Sequence, residues 1–312
     1  MAGINPQAIK ELRERTQAGM SDCKNALVEA EGDMEKAVEI ILKKGLAKSA
    51  KRAGAVASEG EVRASISQDK RAATVVEVNI QTDFSARSDE FKNFVGDVLG
   101  LAEAAPLGAD LTNSELRGKK VSDVIVDLTA RIGEKVAIRR WDRAEVPAGK
   151  TGLAHAYVHL GGKIGVVLAL ETESDAVAQH AEVVKFADET AMQIAAMNPV
   201  ALVRADISDD AKAKQKEIFE GQLREDPKPK PESAWPKIIE GKFNKWFSEV
   251  TLTEQESVVV PGQTIDKLRE IAEKAAGGSV KIVRFVRFER GEGIEKPQGP
   301  DFASEVAKMA GG

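Results

Sequence analysis

GEVRASISQDKRAATVVEVNIQTD (60–83) and GLAHAYVHLGGKIGVVLALETESD (152–175) superpose without a gap at one offset of 92 residues. Ala64/Ala156, Ile66/Val158, Val75/Val167, Val76/Leu168 and Val78/Leu170 are apolar in both copies. Each copy reads as two strands joined by a polar turn, Gln68-Asp69-Lys70 in the first and Gly161-Gly162-Lys163 in the second. A helix is expected after each. Ser88 caps the first, which carries Phe91, Phe94, Val95, Val98 and Leu99; the second runs from Ala176 through Met197 with Val183, Val184, Phe186, Ala187 and Ile194. A further helix over Val121–Ile132 and a strand over Val136–Trp141 complete the first unit. Identity between the copies is low, so they share an architecture rather than a demonstrated duplication. Two similar α+β units follow, and the fold class is α+β.

Toward the N-terminus the chain predicts three short helices. Asn5 before Pro6 suits an N-cap with proline at the first helical position, and Ile9, Leu12 and Thr16 share one face. Residues 16–20 break that helix. Ser21 is expected to cap a second one bearing Cys23, Ala26, Leu27 and Ala30. Asp33 caps a third, lined by Ala37, Val38, Ile41 and Leu42 and stopped at Gly45. Residues 48–60 have weak apolar periodicity and read as a linker.

Toward the C-terminus, Ser208 to Phe247 turns charged and helical. Asp226-Pro227-Lys228-Pro229-Lys230-Pro231 interrupts it, because each proline removes a backbone donor and clashes with the preceding turn. An antiparallel helical hairpin is the natural outcome. Val258-Val259-Val260 falls in a loop before Pro261; a strand over Val280–Glu289 and a helix over Asp301–Met309 close the chain. The segments are 1–47, a linker at 48–60, 61–143, 144–290 with the hairpin at about 208–247, and 291–312.

The net charge of -5 gives no general reason to seek nucleic acid, although basic clusters occur at 43–52 and at Arg139-Arg140, where surface solvation is the simpler interpretation. The single cysteine, Cys23, excludes an intrachain disulfide and fits a reducing compartment. No apolar run approaches the roughly 20 residues needed to cross a bilayer, and no signal pattern opens the chain. A soluble, cytoplasmic protein without membrane contact is expected.

A search for chemistry returns nothing catalytic. The histidines are His155, His159 and His180; His155 and His159 share a strand face, but no acidic or cysteine partner at metal-ligand spacing accompanies them. Gly161-Gly162-Lys163 lacks the flanking residues of a phosphate loop and joins two strands. Gly291-Glu292-Gly293 lacks a strand–loop–helix setting. No catalytic residue, metal site or cofactor is therefore assigned, and the chain is read as a non-enzyme. What remains is surface for a partner. Phe84, between a strand end and the polar run Ser85–Asp89, has two readings. It folds back into the core, as burial of a lone aromatic favours, or it protrudes as an interface anchor.

Several stretches resemble elongation factor Ts. They are KELRERTQAGMSDCK (10–24), Glu29-Ala30-Glu31-Gly32-Asp33, Gln81-Thr82-Asp83-Phe84, Tyr157 to Val166, and Arg287 to Lys296, spread over the chain in the family's order. The resemblance implies a ubiquitin-associated-like N-terminal domain, two core subdomains, a coiled-coil hairpin and a C-terminal module. It also implies guanine-nucleotide exchange on the translation GTPase elongation factor Tu, in its GDP-bound and nucleotide-free states. Carried to this sequence, Asp83 and Phe84, flanked by Thr82 and Ser85, would form a wedge that dislodges the partner's magnesium.

Further implied partner contacts are Arg13, Met20 and Lys24, then Ile132, Gly133 and His159, and finally Val258 and Val259 against a β-barrel domain. Two departures stand out. Ser85 occupies a place where a small apolar residue is expected, and Val258-Val259 replaces a bulkier phenylalanine or methionine. Each contact has a plainer alternative, with Met20 and Ile132 as core and Arg13 and Lys24 as solvated charges. The resemblance implies no direct nucleic-acid contact, and the hairpin offers a surface for a homodimer. The rivals to exchange are a ubiquitin- or peptide-binding adaptor, which leaves the central repeat unexplained, and an RNA-binding protein, which the acidic balance opposes.

Overall fold

The computed structural model describes residues 5–16, 18–228 and 230–295. The helix expected over 301–309, and with it most of the segment 291–312, lies outside the described residues. Helices and sheets share the chain, which is of the α+β class. The described parts of 1–62, 76–141 and 289–295 form one compact unit, and those of 63–75 and 142–288 form another.

Three helices open the chain: α1 (Pro6–Thr16), α2 (Met20–Glu29) and α3 (Met34–Arg52). The Asn5 side chain accepts from the Gln7 N–H at 2.9 Å, and Asp33 accepts from the Lys36 N–H at 3.0 Å, so both caps act as expected. Leu12, Cys23, Ala26, Leu27 and Ala37 make the small core of this bundle. Ser21, however, does not cap α2. That helix begins at Met20 behind Gly19, without a side-chain cap. Nor does Gly45 stop α3. It lies inside that helix facing a neighbouring one, where a Cβ built on it would stand 3.4 Å from the Ala130 Cβ, which leaves room for a methyl group and little more. The stretch 48–60 accordingly contains the last turn of α3 and the start of the first strand.

Strands β1 (Glu59–Ile66) and β2 (Ala72–Ile80) follow, then α4 (Asp83–Ala86) and α5 (Asp89–Ala104). A minimal ribbon of β3 (Glu115–Leu116) and β4 (Lys119–Lys120) leads into α6 (Val121–Ile132), the helix that α3 packs against. Strand β5 (Ala137–Glu145) extends four residues past the expected Trp141 and completes a sheet of order β1-β2-β5. Phe91, Phe94, Val95 and Val98 of α5 bury against Val76, Val78 and Ile80 of β2 and against Leu128 of α6.

The second sheet, of order β6-β7-β8, comprises β6 (Thr151–His159), β7 (Ile164–Thr172) and β8 (Val280–Glu289). β6 and β7 are antiparallel, pairing Thr151 with Thr172 and His159 with Ile164. The helix expected from Ala176 onward is two pieces, α7 (Asp175–Ala178) and α8 (Ala181–Met197), because His180 adopts an extended backbone and its ring accepts from the Glu182 N–H. Helices α9 (Asp209–Arg224) and α10 (Trp235–Val250) pack through Phe219, Leu223, Ile239, Phe243 and Trp246. Besides the short α4, one longer helix has no counterpart in the sequence-based expectation. It is α11 (Ile265–Ala276), capped by the Thr264 hydroxyl, with Ile265 and Ala272 against the core of the second sheet.

Candidate functional site

Beyond β2 the chain makes a single helical turn and breaks. Thr82 is its N-cap, with the hydroxyl accepting from the Ser85 N–H at 3.3 Å. Ser88 then caps α5, accepting from the Phe91 N–H at 3.3 Å and donating to the Ser85 carbonyl at 2.8 Å. Three bonds thus fix α4 and its junction with α5 within ten residues, Thr82 to Phe91. Ser85 and Ala86 face inward and are buried, while Asp83 and Phe84 face out. Asp83 is held by Arg87 at 2.7 Å, and Phe84 is 85% exposed. The core alternative for Phe84 is therefore overturned. Leaving its ring in water forgoes about 1.5–3 kcal/mol of burial free energy.

The equivalent turn in the other half provides an internal control. Ser174 caps α7 as Thr82 caps α4, with its hydroxyl accepting from the Val177 N–H at 3.3 Å. Asp83–Ala86 corresponds to Asp175–Ala178, and the next helices start at Asp89 and Ala181, all at the same 92-residue offset as the strands. Phe84 corresponds to Ala176, which is also exposed. The position points to solvent in both copies. One copy fills it with alanine, as an exposed helical position permits, and the other with phenylalanine.

Glu134 holds the phenylalanine-bearing turn. Its Oε2 accepts the Thr82 N–H at 2.9 Å, and its Oε1 accepts the hydroxyls of Thr82 and Ser85, each at 2.7 Å. Ser85, where the resemblance leads one to expect a small apolar residue, thus uses its hydroxyl in this clamp. Gly133, at φ 82°, is the left-handed cap that ends α6 and turns the chain toward Glu134. Ile132 packs partly buried on the core beside it, as its plainer alternative has it. Gln81 adds one more tie, its side-chain oxygen accepting from the Lys135 N–H at 2.9 Å. Thr82–Ser85 and Ile132–Gly133 are thereby brought together, 47 or more residues apart in sequence.

A profile described as elongation factor TS matches residues 81–292, beginning one residue before this turn. The elongation factor Ts of Clostridium perfringens is 44% identical over 313 residues, spanning 99% of each chain. That of Clostridium kluyveri is 44% identical over 318 residues, again with 99% of each covered. That of a Nitratiruptor species is 44% identical over 310 residues, with 97% of this chain and 98% of the relative covered. The chain belongs to the elongation factor Ts family. It is a translation elongation factor of protein biosynthesis.

Within this elongation factor the remaining singled-out residues fall in two places. On the bundle, Arg13, Met20 and Lys24 are exposed; Met20, at 61%, is not a core residue. In the other unit, the His159 ring stacks on Tyr157, and its Nδ1 lies 2.9 Å from the tyrosine hydroxyl. Val258 and Val259 are exposed on a loop that buried Gln193 organises, its Oε1 accepting from the Val258 N–H at 2.8 Å. Glu134 and Gln193 carry no local sequence signal, because each acts on a segment more than 45 residues away. Among the described residues no group of three or more His, Cys, Asp or Glu converges as a metal set, and no helix is long and apolar enough to cross a membrane.

The basic pair Arg139-Arg140 is not a simple solvated patch. Arg139 Nη1 and Arg140 Nε bind the two oxygens of fully buried Glu77 at 2.9 and 2.6 Å. Asn79 Nδ2 and the Gly291 N–H complete the carboxylate's shell at 3.1 and 2.7 Å. Burial opposes charge on Glu77, yet these four donors together hold its carboxyl below the usual range.

Proposed function

We propose that this elongation factor is the guanine-nucleotide exchange factor of elongation factor Tu and carries out no covalent chemistry. It would engage the GDP-bound GTPase, insert Phe84 beside the magnesium and phosphate site, and promote GDP release so that GTP can bind. The observation that carries this is the exposed Phe84 on a clamped turn whose counterpart bears Ala176. An aromatic ring that contributes nothing to its own core, on a turn rigid enough to aim it, is an interface anchor.

Linkage supplies the mechanism. A factor that favours a conformation of the GTPase lacking its magnesium and phosphate contacts weakens nucleotide affinity by the factor that nucleotide weakens its own. Moving the magnesium-coordinating region removes the main neutralising charge beside the phosphates. No nucleophile or proton transfer is required. Asp83, Thr82 and Ser85 shape the turn around the wedge.

The other contacts belong to the same proposal. Arg13, Met20 and Lys24 on a ubiquitin-associated-like bundle (1–47), together with Ile132, Gly133 and His159, would meet the GTPase domain. Val258 and Val259 would meet a β-barrel domain, with smaller side chains than the resemblance leads one to expect. The segments 61–143 and 144–290 would act as paired core subdomains, with α9 and α10 as a coiled-coil hairpin open to a second copy. The setting would be the cytoplasm. The test is release of fluorescent GDP from elongation factor Tu. Addition of this protein should accelerate it many-fold, and an unchanged release rate would refute the proposal.

A further inference from the structure

We infer that Glu134 is the positioning residue of the exchange wedge, fixing the direction of the Phe84 ring without itself touching the partner. This rests on the exchange function proposed above and identifies the side chain that makes the wedge rigid. Phe84 has almost no packing of its own, so only the backbone of α4 can aim it. A four-residue helix is far too short to hold itself in water. Glu134 supplies what is missing. One carboxylate accepts the Thr82 N–H, the Thr82 hydroxyl and the Ser85 hydroxyl, bracketing the phenylalanine on both sides. Charge-assisted bonds to a carboxylate are stronger than neutral ones. The carboxylate is in turn placed by the left-handed Gly133 at the end of α6.

The counterpart turn shows that the clamp is not required to form the motif. Ser174 caps α7 by the same hydroxyl geometry, and among the described residues no carboxylate accepts from that hydroxyl. The second copy lacks the clamp and carries Ala176. Only the turn that presents an aromatic ring to solvent has a carboxylate holding it. A ring ordered before encounter loses less freedom on insertion, which favours the step in which the wedge enters.

The experiment measures fluorescent-GDP release from elongation factor Tu across a range of concentrations of wild type, Glu134→Ala, Phe84→Ala and the double variant. Amide hydrogen exchange of residues 83–87 in each free protein is measured alongside. Glu134→Ala should melt with the wild type, speed exchange at those amides, and lower the saturating release rate roughly tenfold, with half-saturation moved little. Glu134→Gln, which keeps one acceptor oxygen but sets an amide against the Thr82 N–H, should fall between wild type and alanine. On the Phe84→Ala background, Glu134→Ala should cause no further loss. A wild-type release rate for Glu134→Ala would overturn the inference, and so would additional loss in the double variant, which would make Glu134 a contact in its own right. Should wild type fail to accelerate release at all, the exchange function falls; unchanged amide exchange in Glu134→Ala would separately remove Glu134 as the clamp of the turn.

Discussion

The carboxylate of Glu77, with no exposed surface, accepts the backbone N–H of Gly291 at 2.7 Å. Strand β2 is thereby fastened to the chain just beyond β8, and the same carboxylate pairs with both Arg139 and Arg140. Removing the charge leaves two guanidinium groups and an N–H partly unsatisfied in a confined space. Glu77→Gln should therefore cost about 2–4 kcal/mol at neutral pH, measured by urea unfolding. Burial works against the charge, but the Gly291 N–H, the two arginines and Asn79 outweigh it and lower the carboxyl's pKa. A depressed carboxyl contributes stability that is complete above its unfolded value of about 4.3 and is lost as pH falls through the folded value. The gap between wild type and Glu77→Gln should be constant above about pH 5 and narrow below about pH 4. A gap that instead widened in acid would mean that the carboxyl is held protonated.

Phe84→Ala tests the wedge apart from the fold. With its ring 85% exposed, truncation removes almost no internal contact, so stability should change by no more than about 0.5 kcal/mol. The GDP-release rate, by contrast, should drop by roughly 5–150-fold, the span of a typical coupling between two ligands. The natural comparison is Ala176→Phe, which places the same ring on the unclamped turn. It should leave release at the wild-type rate. Full activity in Phe84→Ala would remove this ring from the mechanism.

The paired strands, the caps at Asn5, Asp33 and Ser88, and helix Val121–Ile132 are legible because each is written locally, in alternation or in a capping residue beside an apolar stripe. Tertiary terms hide the rest. Gly45 reads as a stop until Ala130 is seen beside it. The turn α4, four residues long, barely completes one helical period and does not show as a helix, and the break between α7 and α8 is hidden because His180 is an uncommon cap. The orientation of Phe84 has no local signature either. What turns it outward is the burial of Ser85 and Ala86 beneath the turn, and what clamps the turn is Glu134, a residue 50 positions on.

Gly60 and Gly152 occupy the same place in the two sheets and have the same reason to be glycine. A Cβ on Gly60 would lie 2.1 Å from the Val78 carbonyl oxygen, and one on Gly152 would lie 2.0 Å from that of Leu170. Both have positive φ, 134° and 157°. Backbone cannot withdraw as a flexible side-chain end would. Gly60→Ala and Gly152→Ala should each destabilise by about 2–3 kcal/mol, through strain and a disturbed strand pair. Circular-dichroism melts of the two variants should show comparable losses. An alanine tolerated at either position would mean that the strand pair there is free to shift.

Gly45 makes the opposite prediction for a single methyl group. It lies inside α3, where a glycine costs about 0.5–1 kcal/mol relative to alanine. The Cβ of an alanine would stand 3.4 Å from the Ala130 Cβ, at the near edge of ordinary contact. Gly45→Ala should therefore be neutral or slightly stabilising, because helix propensity gains what the tight contact loses. Gly45→Leu has no such balance, since its branch must enter the space that α6 occupies. It should destabilise by about 1–3 kcal/mol, as overpacking does, and pry α3 from α6. Trypsin provides the readout, because Lys48, Lys51 and Arg52 lie in the last turns of α3. Cleavage there should accelerate in Gly45→Leu and remain at the wild-type rate in Gly45→Ala. If Gly45→Leu resists trypsin as the wild type does, the contact at Ala130 is not what seats the helix.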